Sequence, residues 1–209
     1  TFYATASYNG NLYVAGDFTG IDGISTSYIA KWNGAEWSAV GTGCNSKIYA
    51  LYVHENLLYA GGDFTTCGGT TVHYIASWNG TAWSALGSGL NDAPRAFASY
   101  NDSLVAGGWF TSTYGGGTTL NYVGQWNGTS WSTLGAGVAD DWQYETVKAL
   151  KEYNGRLYAG GGFYTDDSTD NDYFAYFDGT NWTYPGGIDN YVYAFDDFSG
   201  SLVVGGYFQ

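Results

Sequence analysis

Two cysteines, two histidines and scattered carboxylates are the residues of this 209-residue chain whose types could do chemistry. A zinc site would have to combine Cys44 and Cys67 with His54 and His73, and those spacings match no tetrahedral zinc pattern. Nucleophilic catalysis needs a base placed beside a serine or cysteine, and neither histidine stands in a motif that would place one. Both read as surface or strand-end residues. Glycoside hydrolysis needs two carboxyls about 5 to 9.5 Å apart on different elements facing one pocket. The stretch "YTDDSTDND", Tyr164 to Asp172, gathers Asp166, Asp167, Asp170 and Asp172. Calcium loops also need a tight glycine and a distal bidentate carboxylate, and this one has neither, so it reads as a solvated acidic loop. The expectation is a protein without catalysis, metal or cofactor.

The elements that carry these residues come from a repeat. The phrases "LYVAGDF", "LYAGGDF", "LVAGGWF", "LYAGGGF" and "LVVGGYF" end at Phe18, Phe64, Phe110, Phe163 and Phe208, at intervals of 46, 46, 53 and 45 residues. A second phrase, "WNGAEW" from Trp32, "WNGTAW" from Trp78, "WNGTSW" from Trp126 and "FDGTNW" from Phe177, falls once in each interval. The chain is four whole repeats and the leading half of a fifth, with blocks at about 1–46, 47–93, 94–145, 146–190 and 191–209.

Each repeat resolves into four short strands, for which "IYALYV", "LLYAGGDF", "YIASW" and "AWSALG" of the second block serve as the example. A four-stranded antiparallel unit of this period fits an all-β fold, a β-propeller with four complete blades and a half blade that closes as five. Along the second strand, Leu58, Ala60, Gly62 and Phe64 share one face by the period of two. That face is expected to pack on a neighbouring blade, with the glycine leaving room for a ring opposite. The column before the phenylalanine varies: Asp17, Asp63, Trp109, Gly162 and Tyr207. Asn-Gly suits a type I′ turn, so "WNGTAW" is a hairpin tip. A two-residue turn would pair Trp78 with Thr81, and a four-residue turn would pair Trp78 with Trp83. Either way both rings lie on one face and serve packing.

Placed on this frame, Cys44 follows a fourth strand and Cys67 follows the next repeat's second strand. Both loop types leave a propeller on one face and flank one blade, so a disulfide between them is expected, in an oxidising compartment. Carboxylates on the innermost strands are confined to Glu152, Asp196 and Asp197, a poor basis for a glycosidase. The sequons at Asn79, Asn101, Asn127 and Asn181 fall on hairpins of the opposite face and are candidates for glycosylation, although Asn-Gly-Thr is also simply a good turn.

Composition narrows the partners. Aromatics are 20% of residues, glycine numbers 33, proline 2, and charged residues only 12%, which suits strands joined by glycine turns. The net charge of -13, from 19 acidic and 6 basic residues, disfavours nucleic acid and anionic membrane surfaces. No apolar run is long enough to span a bilayer as a helix. The loops "TTCGGTTVHY" and "TSTYGGGTTLNY", with Trp109 and Tyr207 from the variable column, offer aromatic and polar contacts of the kind sugars use. His73, Trp109, Tyr114 and Tyr207 are the candidate ligand contacts.

The pattern "LYAGGDFT…YIASWNGTAWSALGSG" resembles the secreted β-propeller repeats of bacterial surface proteins with C-terminal sorting domains and of fungal cortical-marker cell-surface proteins. The resemblance covers essentially the whole chain and implies an extracellular, non-catalytic adhesion or scaffold role. Its shared residues are structural, so it assigns no site, and a propeller by itself fixes no function. The expected partner is a protein or a cell-surface glycan. The fifth repeat holds only its first two strands, "YVYAFDDF" and "SLVVGGYF". Either the native protein continues and completes it, or another copy of the chain donates the missing strands head to tail.

Overall fold

The computed structural model describes residues 1–138, 146–163 and 172–209. Among them all regular structure is β, and the chain packs as two compact units, Thr1–Pro94 and Arg95–Gln209. The acidic loop falls outside the described residues up to Asp172, where a strand begins.

The first unit runs β1 (Phe2–Tyr8), β2 (Asn11–Gly16), β3 (Gly20–Ile21), β4 (Ile24–Ser25), β5 (Ile29–Trp32) and β6 (Trp37–Ala39). It then repeats the series as β7 (Ile48–His54), β8 (Leu57–Gly62), β9 (Thr66–Cys67), β10 (Thr70–Thr71), β11 (Ile75–Trp78) and β12 (Trp83–Ala85). Two antiparallel sheets result, ordered β1-β2-β5-β6 and β7-β8-β11-β12. The glycine- and threonine-rich loops between second and third strands, read from sequence as plain loops, fold into the two-residue ribbons β3-β4 and β9-β10.

The second unit holds β13 (Pro94–Tyr100, with Pro94 at the boundary), β14 (Ser103–Gly108), β15 (Val123–Trp126) and β16 (Trp131–Thr133) as one sheet. A second sheet is β17 (Thr146–Tyr153), β18 (Arg156–Phe163), β19 (Asp172–Phe177) and β20 (Trp182–Thr183). The third is the pair β21 (Val192–Phe198) and β22 (Ser201–Gly206).

Turn chemistry explains the hairpins, with one exchange relative to the sequence reading. The Trp-Asn-Gly tips are four-residue loops, so Trp32 pairs with Trp37, Trp78 with Trp83 and Trp126 with Trp131. The three pairs of rings lie 5.3, 5.3 and 5.4 Å apart. The type I′ expectation fails there because only the glycine has positive φ, 100° at Gly80. Asn79 instead turns its Oδ1 inward to accept the N–H groups of Thr81 and Ala82, each at 2.9 Å. The two-residue loop with positive φ at both positions occurs between first and second strands, at Asn9-Gly10, Glu55-Asn56 and Asn101-Asp102.

A second local device opens the third strands β5, β11 and β15. Tyr28, Tyr74 and Tyr122 sit at φ of 66°, 68° and 71°, uncommon for bulky residues. Tyr74 donates its N–H to the Phe64 carbonyl at 2.8 Å, and its own carbonyl accepts from Gly62 N–H at 3.0 Å. The same two bonds tie Tyr28 to Phe18 and Gly16, and Tyr122 to Phe110 and Gly108. The kinked tyrosine thus seats the phenylalanine that ends the second-strand phrase, and Phe64 and Phe110 are fully buried.

The core of the first unit gathers Tyr8, Tyr13, Ile29, Ile48, Leu58 and Phe64 with the Trp78–Trp83 pair and both cysteines. That of the second gathers Val105, Val123, Val147, Leu157, Phe163 and Phe177. Leu58, Tyr59 and Ala60 are all buried, so β8 packs on both faces, and the alternation expected from sequence is absent at its centre.

Candidate functional site

The first strands β1, β7, β17 and β21 each carry a β-bulge near the start. Ile48 pairs with Gly62 and Ala50 with Gly61, which leaves Tyr49 as the extra residue. The same slip singles out Tyr3 in β1, Lys148 in β17 and Tyr193 in β21. Arg95 holds the matching place in β13, and an alanine follows in every case: Ala4, Ala50, Ala96, Ala149 and Ala194. The bulge accounts for the second-strand glycine. A Cβ on Gly62 would stand 2.0 Å from the Lys47 carbonyl oxygen, and one on Gly161 would stand 2.0 Å from that of Thr146. The space expected for an opposing ring is therefore filled by the first strand's own backbone. The preceding glycine meets the following sheet: a Cβ on Gly107 would reach Val147 Cγ1 at 2.5 Å.

A bulge re-aims its side chain, and here it brings that side chain beside the variable residue before the phenylalanine. In the first unit the Tyr49 hydroxyl donates to the Asp63 carboxylate, and Tyr3 lies 5.5 Å from Tyr49. Lys47 pairs with Asp17 at 3.6 Å. In the second unit the chemistry changes. The Arg95 guanidinium lies over the Trp109 ring, 4.0 Å from its centroid. Lys148 Nζ lies over Tyr191 and Tyr193, at 5.3 and 5.5 Å, and those two rings stack at 12°. Burial, and then the nearby charge of Arg95, lower the Lys148 ammonium's pKa below the ordinary lysine value. The variable column supplies a tryptophan beside Arg95 and a glycine, Gly162, beside Lys148, where the first unit has Asp17 and Asp63.

The other expected residues divide. Cys44 and Cys67 form a disulfide, buried between the two sheets of the first unit. With both sulfurs joined they offer no thiolate to a metal. Trp109 and Tyr207 are exposed, at 44% and 73%, and Tyr114 is exposed in the loop between β14 and β15. His73 belongs to the first unit, where its carbonyl accepts the Leu90 N–H at 3.1 Å. Asn79, Asn101, Asn127 and Asn181 all stand exposed at hairpin tips. Glu152 is occupied in accepting the Gly155 N–H at 2.8 Å, Asp196 in a surface pair with Lys151 at 3.6 Å, and Asp197 is exposed. Sequence reasoning missed Arg95, Lys148 and Tyr193. Their signal was the aromatic or basic residue before the repeated alanine.

Fold and site together define an all-β repeat protein of four-stranded antiparallel sheets. No protein-family model and no curated protein matches the chain. Among solved structures it is similar in fold to the extracellular domain of a protein assigned to a hybrid two component system of B. thetaiotaomicron. That match has 11% identity and a TM-score of 0.61, over 97% of this chain and 26% of that one. It is also similar to YjhT, at 14% identity and TM-score 0.57, over 96% of this chain and 75% of that one. The computationally designed protein Ika8 matches at 15% identity and TM-score 0.51, over 98% and 67% of the two chains. The chain thus spans about a quarter of the first of these structures. At such identities the likeness is one of fold alone.

Proposed function

We propose that this chain is a section of a secreted β-propeller, each four-stranded sheet one blade of a five-bladed ring, acting as a non-catalytic interaction module at a cell surface. One observation carries the reading. In the second, third and fourth repeats the leucine and phenylalanine columns of the second strand are buried, whereas the bulge-column residue and the residue before the phenylalanine change chemistry from repeat to repeat. A scaffold held constant beneath a varied surface is how repeat proteins build recognition. The buried Cys44–Cys67 bond suits an oxidising compartment, and the fold likeness to an extracellular domain points the same way.

A second reading, in which the partner is a glycan, is favoured by Trp109, an exposed ring held beside a guanidinium. The test of both is binding of the labelled chain to intact cells treated beforehand with protease or with glycosidases. Saturable binding lost to protease supports a protein partner, and loss to glycosidase supports the glycan. Absence of saturable binding on any surface would overturn the interaction reading.

A further inference from the structure

We infer that Asn154 is a self-modification site, at which the Gly155 backbone nitrogen closes on the Asn154 side chain with Glu152 as the base. The bond formed joins Gly155 N to Asn154 Cγ, and the bond broken is Cγ–Nδ2. Ammonia leaves, carrying the proton that Glu152 took from Gly155. Water then opens the resulting succinimide ring to aspartate or, where the chain is routed through the side chain, to isoaspartate.

The chain contains five Asn-Gly pairs, at Asn9, Asn33, Asn79, Asn127 and Asn154, all with the asparagine exposed, and the fold divides them into two geometries. At Asn33, Asn79 and Asn127 the Oδ1 atom accepts two backbone N–H groups at 2.8 to 3.0 Å, so turning the amide toward its own glycine breaks both bonds. Asp178 makes the same pair of bonds at the fourth tip. A carboxylate is therefore tolerated there, and the tips are held back by rate, not by an unstable product. Asn9 and Asn154 instead open two-residue turns in the left-handed region, at φ of 47° and 50°, followed by Gly10 and Gly155 at 73° and 75°. The residue two before each asparagine separates these turns. Glu152 Oε1 accepts the Gly155 N–H at 2.8 Å, within the reach a general base needs for the proton it removes. An amide proton is ordinarily held too tightly for a carboxylate, but it becomes acidic as the new N–C bond forms, and the base acts at that moment. In the first repeat the place of Glu152 is taken by Ser7, which pairs with Leu12 as Glu152 pairs with Leu157. Isoaspartate adds a methylene to the backbone of a two-residue turn, so the modification bears on the register of β17 and β18.

Incubation of the folded chain at neutral pH, followed by peptide mapping with mass spectrometry and isoaspartate detection, measures the rate at each pair. Asn154 should convert about fivefold faster than Asn9, and the three tips about tenfold more slowly than Asn9. In denaturing urea the five rates should come together, because the turns and the Glu152 contact are gone. Glu152→Gln keeps an oxygen that can accept the Gly155 N–H but removes the base, and it should bring Asn154 down to the rate of Asn9. Ser7→Glu should raise Asn9 toward the rate of Asn154. Circular dichroism and thermal midpoints establish that both variants keep the fold, as changes at exposed strand-end positions allow. Equal rates at Asn9 and Asn154 in the folded chain, or a ranking that persists in urea, overturns the inference. So does an Asn154 rate unchanged by Glu152→Gln, or an Asn9 rate indifferent to Ser7→Glu.

Discussion

Trp182 Nε1 donates to the Leu134 carbonyl at 2.8 Å, so the last strand of one sheet is fastened to the segment that follows the last strand of the sheet before it. Trp83 makes the same bond to Val40 at 3.3 Å in the first unit. Trp83 and Trp182 therefore each pack with a partner ring and also link neighbouring sheets within one unit. Trp182→Phe keeps most of the ring area and loses the donor, so it should cost about 1 kcal/mol. Trp182→Ala should cost about 3 kcal/mol, because packing is lost as well. Thermal midpoints of the two variants measure the difference, and a Trp182→Phe midpoint equal to that of the parent would mean the bond contributes nothing.

The glycines of the second strand should divide by what surrounds them. Gly62→Ala puts a Cβ 2.0 Å from a carbonyl oxygen, and the bulge of β7 cannot yield without breaking its pairing. That variant should lose several kcal/mol, on the order of 3 or more, or fail to fold. Gly205→Ala meets nothing closer than 3.9 Å and should be neutral or slightly stabilising. Soluble yield and melting of the pair would settle the contrast.

Cys44→Ser with Cys67→Ser removes a bond closing a 23-residue separation. On the chain-entropy account this should cost about 3 kcal/mol. Since both cysteines are buried, the native protein should also react slowly with reductant, and thiol labelling should rise only as the first unit unfolds. Rapid labelling in native buffer would contradict the burial.

Asp178 stands where three other tips carry asparagine. Its carboxylate accepts the N–H groups of Asn181 and Thr180, the two largest causes holding its pKa below the ordinary 3.8. A folded pKa below the unfolded one means its stabilising contribution is complete above the unfolded value and disappears as pH falls through the folded value. Asp178→Asn should keep both bonds without the titration. Its melting temperature should therefore fall less between pH 5 and the acid limit, about pH 2, than that of the parent. Identical acid limbs would show that the group carries no pH-dependent stability.

Much of this molecule was legible in the chain. The repeat gave the four-stranded sheets, because a period of two read against glycine turns leaves few alternatives, and the second sheet's strands lie within two residues of their expected bounds. The pairing of Cys44 with Cys67 followed from which loops flank one four-stranded repeat. Turn geometry did not follow, since Asn-Gly satisfies both a type I′ turn and a tip closed by the asparagine side chain, and only the observed register separates them. The candidate site depended on tertiary structure for a related reason. A bulge is one unpaired residue, and its effect on direction appears only when the partner strand's register is known. Arg95 and Trp109 lie in different strands of one sheet, and Lys148 and Tyr193 lie in the next two. Sequence determined which residue types occupied those columns, and folding decided that Arg95 meets Trp109 and Lys148 meets Tyr193, because only the paired and packed strands carry these side chains together.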